Sequence, residues 1–282
     1  MDRIISVSTM AFDGYPLETA LDELAALGVR YIEPASVDKV FQHLLEEDFC
    51  DARAAWLQGQ LAARNLSCVS LSAHMDLTRP DSVDRLIRRL EFAGAIGARV
   101  VNTIAGPRSG LEGFRANIPT MGKRAAELGI TLALENHGDL LDRGQQIVEF
   151  IACIGIPAIR VNYDTGNAWY YSQGAINPVA ELAEIASVAA HVHLKSPQII
   201  DGLMRWVALG EGELDLVAAG RILRERLPDV PVSYELSPRQ RSRDFEPRWR
   251  TPDFPSLDEI RGLIARSLQT LEKALGPLPE EQ

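Results

Sequence analysis

Short β-branched runs alternate with longer amphipathic stretches along the whole chain. Residues 4–9 (IISVST), 31–36 (YIEPAS), 68–72 (CVSLS), 99–104 (RVVNTI), 131–135 (TLALE), 159–164 (IRVNYD), 190–195 (AHVHLK) and 232–236 (VSYEL) are predicted strands. Between and after them, 16–27, 52–64, 81–96, 120–128, 144–153, 178–188, 214–227 and 257–274 show helical periodicity. Pro80 precedes one of these helices, and Gly28, Gly97 and Gly129 follow others, as helix punctuation requires.

Strict alternation of strands and helices implies parallel pairing with right-handed crossovers. Eight such units in 282 residues favour a closed (β/α)8 TIM barrel over an open doubly wound sheet. No glycine-rich GxGxxG follows the first strand, which counts against dinucleotide binding. No low-complexity linker divides the chain, so 1–282 reads as one α/β domain. One connection stands out for length, from Ser237 to Pro255.

The formal net charge of −10 opposes a phosphate backbone or an anionic membrane, so neither nucleic acid nor membrane is an expected partner. No run approaches 18 consecutive apolar residues. The opening MDRIISVSTM has no long apolar stretch, and the three cysteines include no CxxC pair. Cys68 and Cys153 sit in apolar runs and read as small core residues. The expected location is cytoplasmic.

The chemistry concentrates at strand ends. Glu135, Asp164, His193 and Glu235 close four successive strands at spacings of 29, 29 and 42 residues. A βα unit takes roughly 30 residues, so these side chains return to the same end of neighbouring strands. In a barrel that end holds the site. Three carboxylates converging there would repel one another unless a cation joined them. Three oxygen donors and one imidazole suit Mn2+, Mg2+ or Co2+ better than a structural zinc. His191 and His193 lie two apart and share a strand face, so either could serve; His193 is nearer the C-terminal end.

These segments resemble the xylose-isomerase-like TIM barrels, the sugar phosphate isomerase/epimerase family. The resemblance covers almost the whole chain and is carried by ALENH (133–137), NYDTGNAW (162–169), HVHLKS (191–196), LGEGELD (209–215) and SYEL (233–236). It implies a divalent metal on Glu135, Asp164, His193 and Glu235, with Glu135 and Glu235 doubling as the acid/base pair. It also implies a small sugar or polyol substrate, and a homo-oligomer, since related barrels often pair. Asn167 stands where the family's ketose epimerases carry a substrate-binding histidine, and Ser196 where many members carry Asp. Both differences bear on the substrate rather than on the metal.

The expected reaction is metal-dependent isomerisation or epimerisation by proton abstraction beside a carbonyl. Dehydration of a cyclitol, keto-sugar or keto-acid is the alternative, because elimination shares the same intermediate. A nucleic-acid enzyme of related fold would use more than the five histidines available here. His74, Asn167, Lys195, Glu211, His137 and Arg108 are the expected substrate contacts, with Glu33 as a further pocket candidate and Trp169 and Trp206 as possible walls. The arginines at 239, 241, 243, 248 and 250 form a basic island that suits an anion, an oligomer contact or a solvated loop.

Overall fold

The computed structural model describes residues 3–276. Eight parallel strands form the barrel: Ile5–Ser8, Tyr31–Glu33, Ser67–Cys68 continued by Ser70–Ser72, Val100–Ile104, Thr131–Glu135, Ile159–Asp164, Ala189–Leu194 and Val232–Tyr234. The third strand breaks at Val69. Its first half pairs with strand two and its second half with strand four, so the ring closes through it. The expected TIM barrel is therefore present.

Period-two alternation explains both faces. Val7, Ile32, Leu71, Val101, Leu132, Leu134, Val161 and Val192 are buried within the large apolar cluster that strands and helices build together. The alternate positions are polar and also buried: Glu33, Ser70, Asn102, Asn162, His191, His193 and Ser233. They hydrogen-bond to one another across the ring. A barrel interior is more commonly packed with branched aliphatics. Here it is a polar network beneath the C-terminal rim, where buried polar atoms must find partners.

Helix Leu111–Glu127 begins nine residues before the expected 120–128 segment, because Pro119 reads as a helix boundary and is not one. Pro inside a helix costs roughly 3 kcal/mol. Burial of Phe114, Ile118 and Met121 on one face offsets it, at roughly 1.5–3 kcal/mol each. Cys153 is exposed, contrary to expectation, because the buried stripe of helix Gly144–Ile154 runs through Ile147 and Ile151. Cys68 is buried, as expected.

Two additions change the site. A short helix, Thr165–Tyr171, starts directly on Asp164. A four-stranded antiparallel sheet joins Ser196–Ile200, Leu203–Val207, Gln240–Arg243 and Trp249–Arg250. Its first hairpin turns at Asp201 and Gly202, both with positive φ (50° and 73°), as an Asp-Gly turn requires. The long connection after strand eight thus contributes two short strands, Gln240–Arg243 and Trp249–Arg250, to this sheet. Among the described residues, no helix is long and apolar enough to cross a membrane.

The stretch between strand two and helix Asp51–Ala62 is pinned over the rim by charge. Arg85 and Arg89 each reach both Asp38 and Glu46 at 2.6–2.9 Å, and Arg88 reaches Glu46 at 2.7 Å. Burial opposes ionisation of Glu46, but the three arginines outweigh it and hold the carboxyl down at about 2. A carboxyl held below its unfolded value stabilises the fold above that value, and the contribution fades as pH falls toward 2. Glu46→Gln should lower the thermal midpoint at neutral pH by a few degrees, about 1 kcal/mol. The gap from wild type should close on acidification below about pH 4.5. A gap that stays constant in thermal melts across that range would contradict this.

Candidate metal centre

Glu135 and Asp164 are the last residues of strands five and six, His193 is the penultimate residue of strand seven, and Glu235 directly follows strand eight. Register brings them level: His193 pairs with Asp164, and Leu194 with Tyr234. The Nδ1 of His193 lies 3.1 Å from Glu135 Oε2, 3.5 Å from Glu235 Oε2 and 3.8 Å from Asp164 Oδ2. Glu135, Asp164 and His193 each offer one ligating atom, all within 4.8 Å of one another. All four residues are almost wholly buried.

Each carboxylate is held differently. Glu135 accepts from Asn162 Nδ2 and Asn167 Nδ2, both at 2.7 Å, and lies 3.0 Å from His74 Nε2. Asp164 Oδ1 caps the new helix by accepting from the amides of Gly166 (2.7 Å) and Asn167 (2.9 Å). That leaves Asp164 Oδ2 for the site. Lys195 Nζ sits 2.9 Å from Asp164 Oδ2 and contacts Glu235 Oε2. Both oxygens thus share one ammonium. Three buried carboxylates drawn together in this way are stabilised by added positive charge.

Burial alone would raise all three carboxyls. For Glu135 the nearby His74 and His193 overcome it and hold the group well below its usual range. Lys195 and then His193 do the same for Glu235. Asp164 remains pushed up to about 6, since burial outweighs Lys195 and the two glutamates add repulsion. The donor set and the convergence on His193 Nδ1 fit a divalent cation.

Gly166 is required by the packing. A Cβ there would stand 2.6 Å from the Lys195 side chain and 2.8 Å from the Trp206 ring. The glycine lets the helix start beneath Lys195, whose ammonium also lies over Trp206 at 5.5 Å.

Of the expected substrate contacts, His74, His137, Asn167 and Lys195 line one cavity of about 1050 Å³ with Glu135 and Glu235. Asn167 and His74 also bond Glu135 directly. Arg108 and Glu211 are not brought there. Arg108 bonds Asp139 and lines a separate cleft, because strand four is followed by a short 3-10 turn that carries it outward. Glu211 pairs with Arg266 at 2.6 Å on the outer surface. Trp206 is buried beneath Lys195, and Trp169 packs on Phe245.

Sequence reasoning misplaced Glu33 in the pocket and missed Asn102 and Asn162. Glu33 lies below the rim, fully buried, 2.8 Å from His193 Nε2, and accepts from Ser70 (2.5 Å) and Asn102 (2.7 Å). It braces His193 from behind, so that Nδ1 is left to face the carboxylates. His191 lies in the same layer, bonded to Asn162 at 2.9 Å, which settles His193 as the rim histidine. Polar residues at inward strand positions were the signal available for these three.

Among known proteins, the family model described as xylose isomerase-like TIM barrel matches residues 21–259. This chain belongs to that family. An inosose dehydratase of Klebsiella pneumoniae subsp. pneumoniae is 27% identical over 153 residues, 45% of this chain and 50% of that protein. The match thus spans about half the length of the curated relatives. The fold is shared with D-psicose 3-epimerase from Clostridium cellulolyticum H10, solved with D-tagatose (TM-score 0.73, 13% identity, 97% of this chain and 100% of that one). It is also shared with a xylose isomerase-like barrel from Mycobacterium smegmatis in complex with magnesium (TM-score 0.68, 18% identity, 97% and 98% covered).

Glu33→Gln tests the brace. It should weaken Mn2+ binding roughly 10- to 100-fold in equilibrium dialysis with the circular dichroism spectrum unchanged. Unaltered affinity would mean that Glu33 does not orient His193.

Proposed function

We propose that this chain is a divalent-metal isomerase or epimerase of a small polyhydroxy carbonyl compound. In this reading Glu135, Asp164, His193 and Glu235 hold Mn2+, Mg2+ or Co2+, and Glu135 and Glu235 exchange protons with the carbon beside the carbonyl. The observation that carries it is the convergence of three buried carboxylates, Glu135, Asp164 and Glu235, on His193 Nδ1. When bound, such a cation supplies Lewis-acid stabilisation for charge that develops on the substrate's oxygens.

The remaining work belongs to the chain. Asn162, Asn167 and His74 fix the Glu135 carboxylate, so that it meets a substrate C–H in one orientation. Lys195, at the cavity wall, presents an ammonium to a substrate oxygen while balancing Asp164 and Glu235. His137 and Asn167 border the same space and offer hydrogen bonds to hydroxyls.

Lys195 also makes the two glutamates unequal, since among the described residues it pairs with Glu235 and not with Glu135. An epimerase exchanges protons on both faces. A dehydratase needs a base on one side and a proton donor for the departing hydroxyl on the other. That asymmetry supports dehydration as a second reading, as does the likeness to inosose dehydratase.

The test is a panel of ketoses, cyclitols and keto-acids incubated in D2O with Mn2+ present or removed. Isomerase or epimerase chemistry predicts solvent deuterium beside the carbonyl of recovered sugar. Dehydration predicts water loss and an enone chromophore. Glu235→Gln should cut turnover roughly 100-fold or more with substrate binding little changed. Near-normal turnover with metal bound would contradict the role given to Glu235.

A further inference from the structure

The basic island at 239–250 divides on inspection. Arg239 and Arg250 both bond Asp13. Arg241 bonds the carbonyls of Pro238 and Gln240, and Arg243 that of Asp201. Arg248 turns inward and lines the cavity shared by Glu135, Glu235 and Lys195. The other arginines of that cavity face carboxylates: Arg79 meets Asp81, Arg85 meets Asp38 and Glu46, and Arg250 meets Asp13. Arg248 has no carboxylate partner among the described residues. Its contacts are the amide oxygen of Asn167 (3.1 Å), the hydroxyl of Tyr171 (2.8 Å) and the His137 ring (3.4 Å).

The guanidinium is also held in position. It lies over the rings of Tyr170 and Tyr171, at 4.6 and 5.4 Å from their centroids. Tyr170 donates from its hydroxyl to the Glu246 carbonyl at 2.9 Å, and Phe245 packs on Trp169 at 5.1 Å, tying the loop to helix Thr165–Tyr171. The contacts with Asn167, Tyr171 and His137 use one Nη1 and both Nη2 hydrogens of Arg248 and leave the Nε–H and one Nη1 hydrogen. A fixed, half-buried guanidinium with neutral neighbours keeps its charge and these donors for an oxyanion such as carboxylate or phosphate.

We propose that the substrate carries an oxyanion group, a carboxylate or a phosphate, at the end remote from Glu135 and Glu235, and that Arg248 binds it beside His137 and Tyr171. This rests on the reading of the cavity as the catalytic one. Asn167 joins the two ends: its oxygen accepts from Arg248 while its Nδ2 donates to Glu135. An anion drawn onto Arg248 is thus registered against the proton-transferring carboxylate. The volume of about 1050 Å³ leaves room for both ends of a sugar-sized molecule.

The experiment is calorimetry on the Mn2+-loaded full chain with three matched probes: D-fructose, its 6-phosphate and its 6-carboxylate, D-fructuronate. At least one anionic probe should bind roughly 10- to 100-fold tighter than D-fructose, and which one does so separates phosphate from carboxylate. Arg248→Met should abolish that preference with D-fructose affinity held within about twofold, and Arg248→Lys should keep part of it. Equal binding of all three by wild type, no binding of either anion, or uniform weakening of all three by Arg248→Met would overturn the proposal. Mn2+ retention and deuterium exchange into sugar are followed separately. In wild type, their presence without any anion preference sinks this inference alone, whereas absence of Mn2+ binding sinks the reading beneath it.

Discussion

Three buried carboxylates gathered around one imidazole nitrogen at the rim of a barrel form the constraint on which the rest of the structure depends. Taking such charges out of water is expensive unless opposite charge and hydrogen bonds replace the lost solvent. Here Lys195 supplies one positive charge between Asp164 and Glu235. Asn162, Asn167 and His74 meet Glu135, and a helix N-terminus takes one oxygen of Asp164. The layer beneath follows from the same need. Glu33, Asn102 and His191 occupy inward positions that a barrel commonly fills with aliphatic side chains, and Glu33, itself bonded by Asn102, holds His193 upright.

The rim and the segments above it serve different ends. Strand registry positions the carboxylates and the histidine, so this part belongs to the shared fold. The connections after strands seven and eight fold together into an antiparallel sheet, which seats Trp206 under Lys195 and carries Arg248 over helix Thr165–Tyr171. A barrel of this class hosts different reactions by changing such segments. A sugar epimerase shares the fold, and an inosose dehydratase matches part of the chain. Lys195 and Arg248 are accordingly the residues on which the discrimination of substrate is proposed to turn.

Much of the fold was legible because its signals are periodic. Strands Thr131–Glu135 and Ile159–Asp164 fall where alternation and β-branched runs put them. The four rim residues were legible because βα repeats return side chains to one end. Their burial and convergence needed coordinates. Three things escaped for physical reasons. Pro119 sits inside a helix because tertiary burial outweighs local preference. The hairpin at Asp201-Gly202 had its signal in IIDGLM, an Asp-Gly pair between apolar runs, which a search for parallel strands passes over. The position of Arg248 depends on Tyr170 and Tyr171 of helix Thr165–Tyr171, a long-range contact that spacing along the chain does not encode. Arg108 and Glu211 were drawn toward the site by their place after strands, but local turn geometry and an outer ion pair send them elsewhere.

The central claim is that these carboxylates and His193 close on one cation. Anomalous diffraction from crystals soaked in Mn2+ at neutral pH measures this most directly. The account predicts a single strong peak bonded to Glu135, Asp164, His193 and Glu235. A cavity without a peak at saturating Mn2+, or a peak bound elsewhere on the chain, would contradict it.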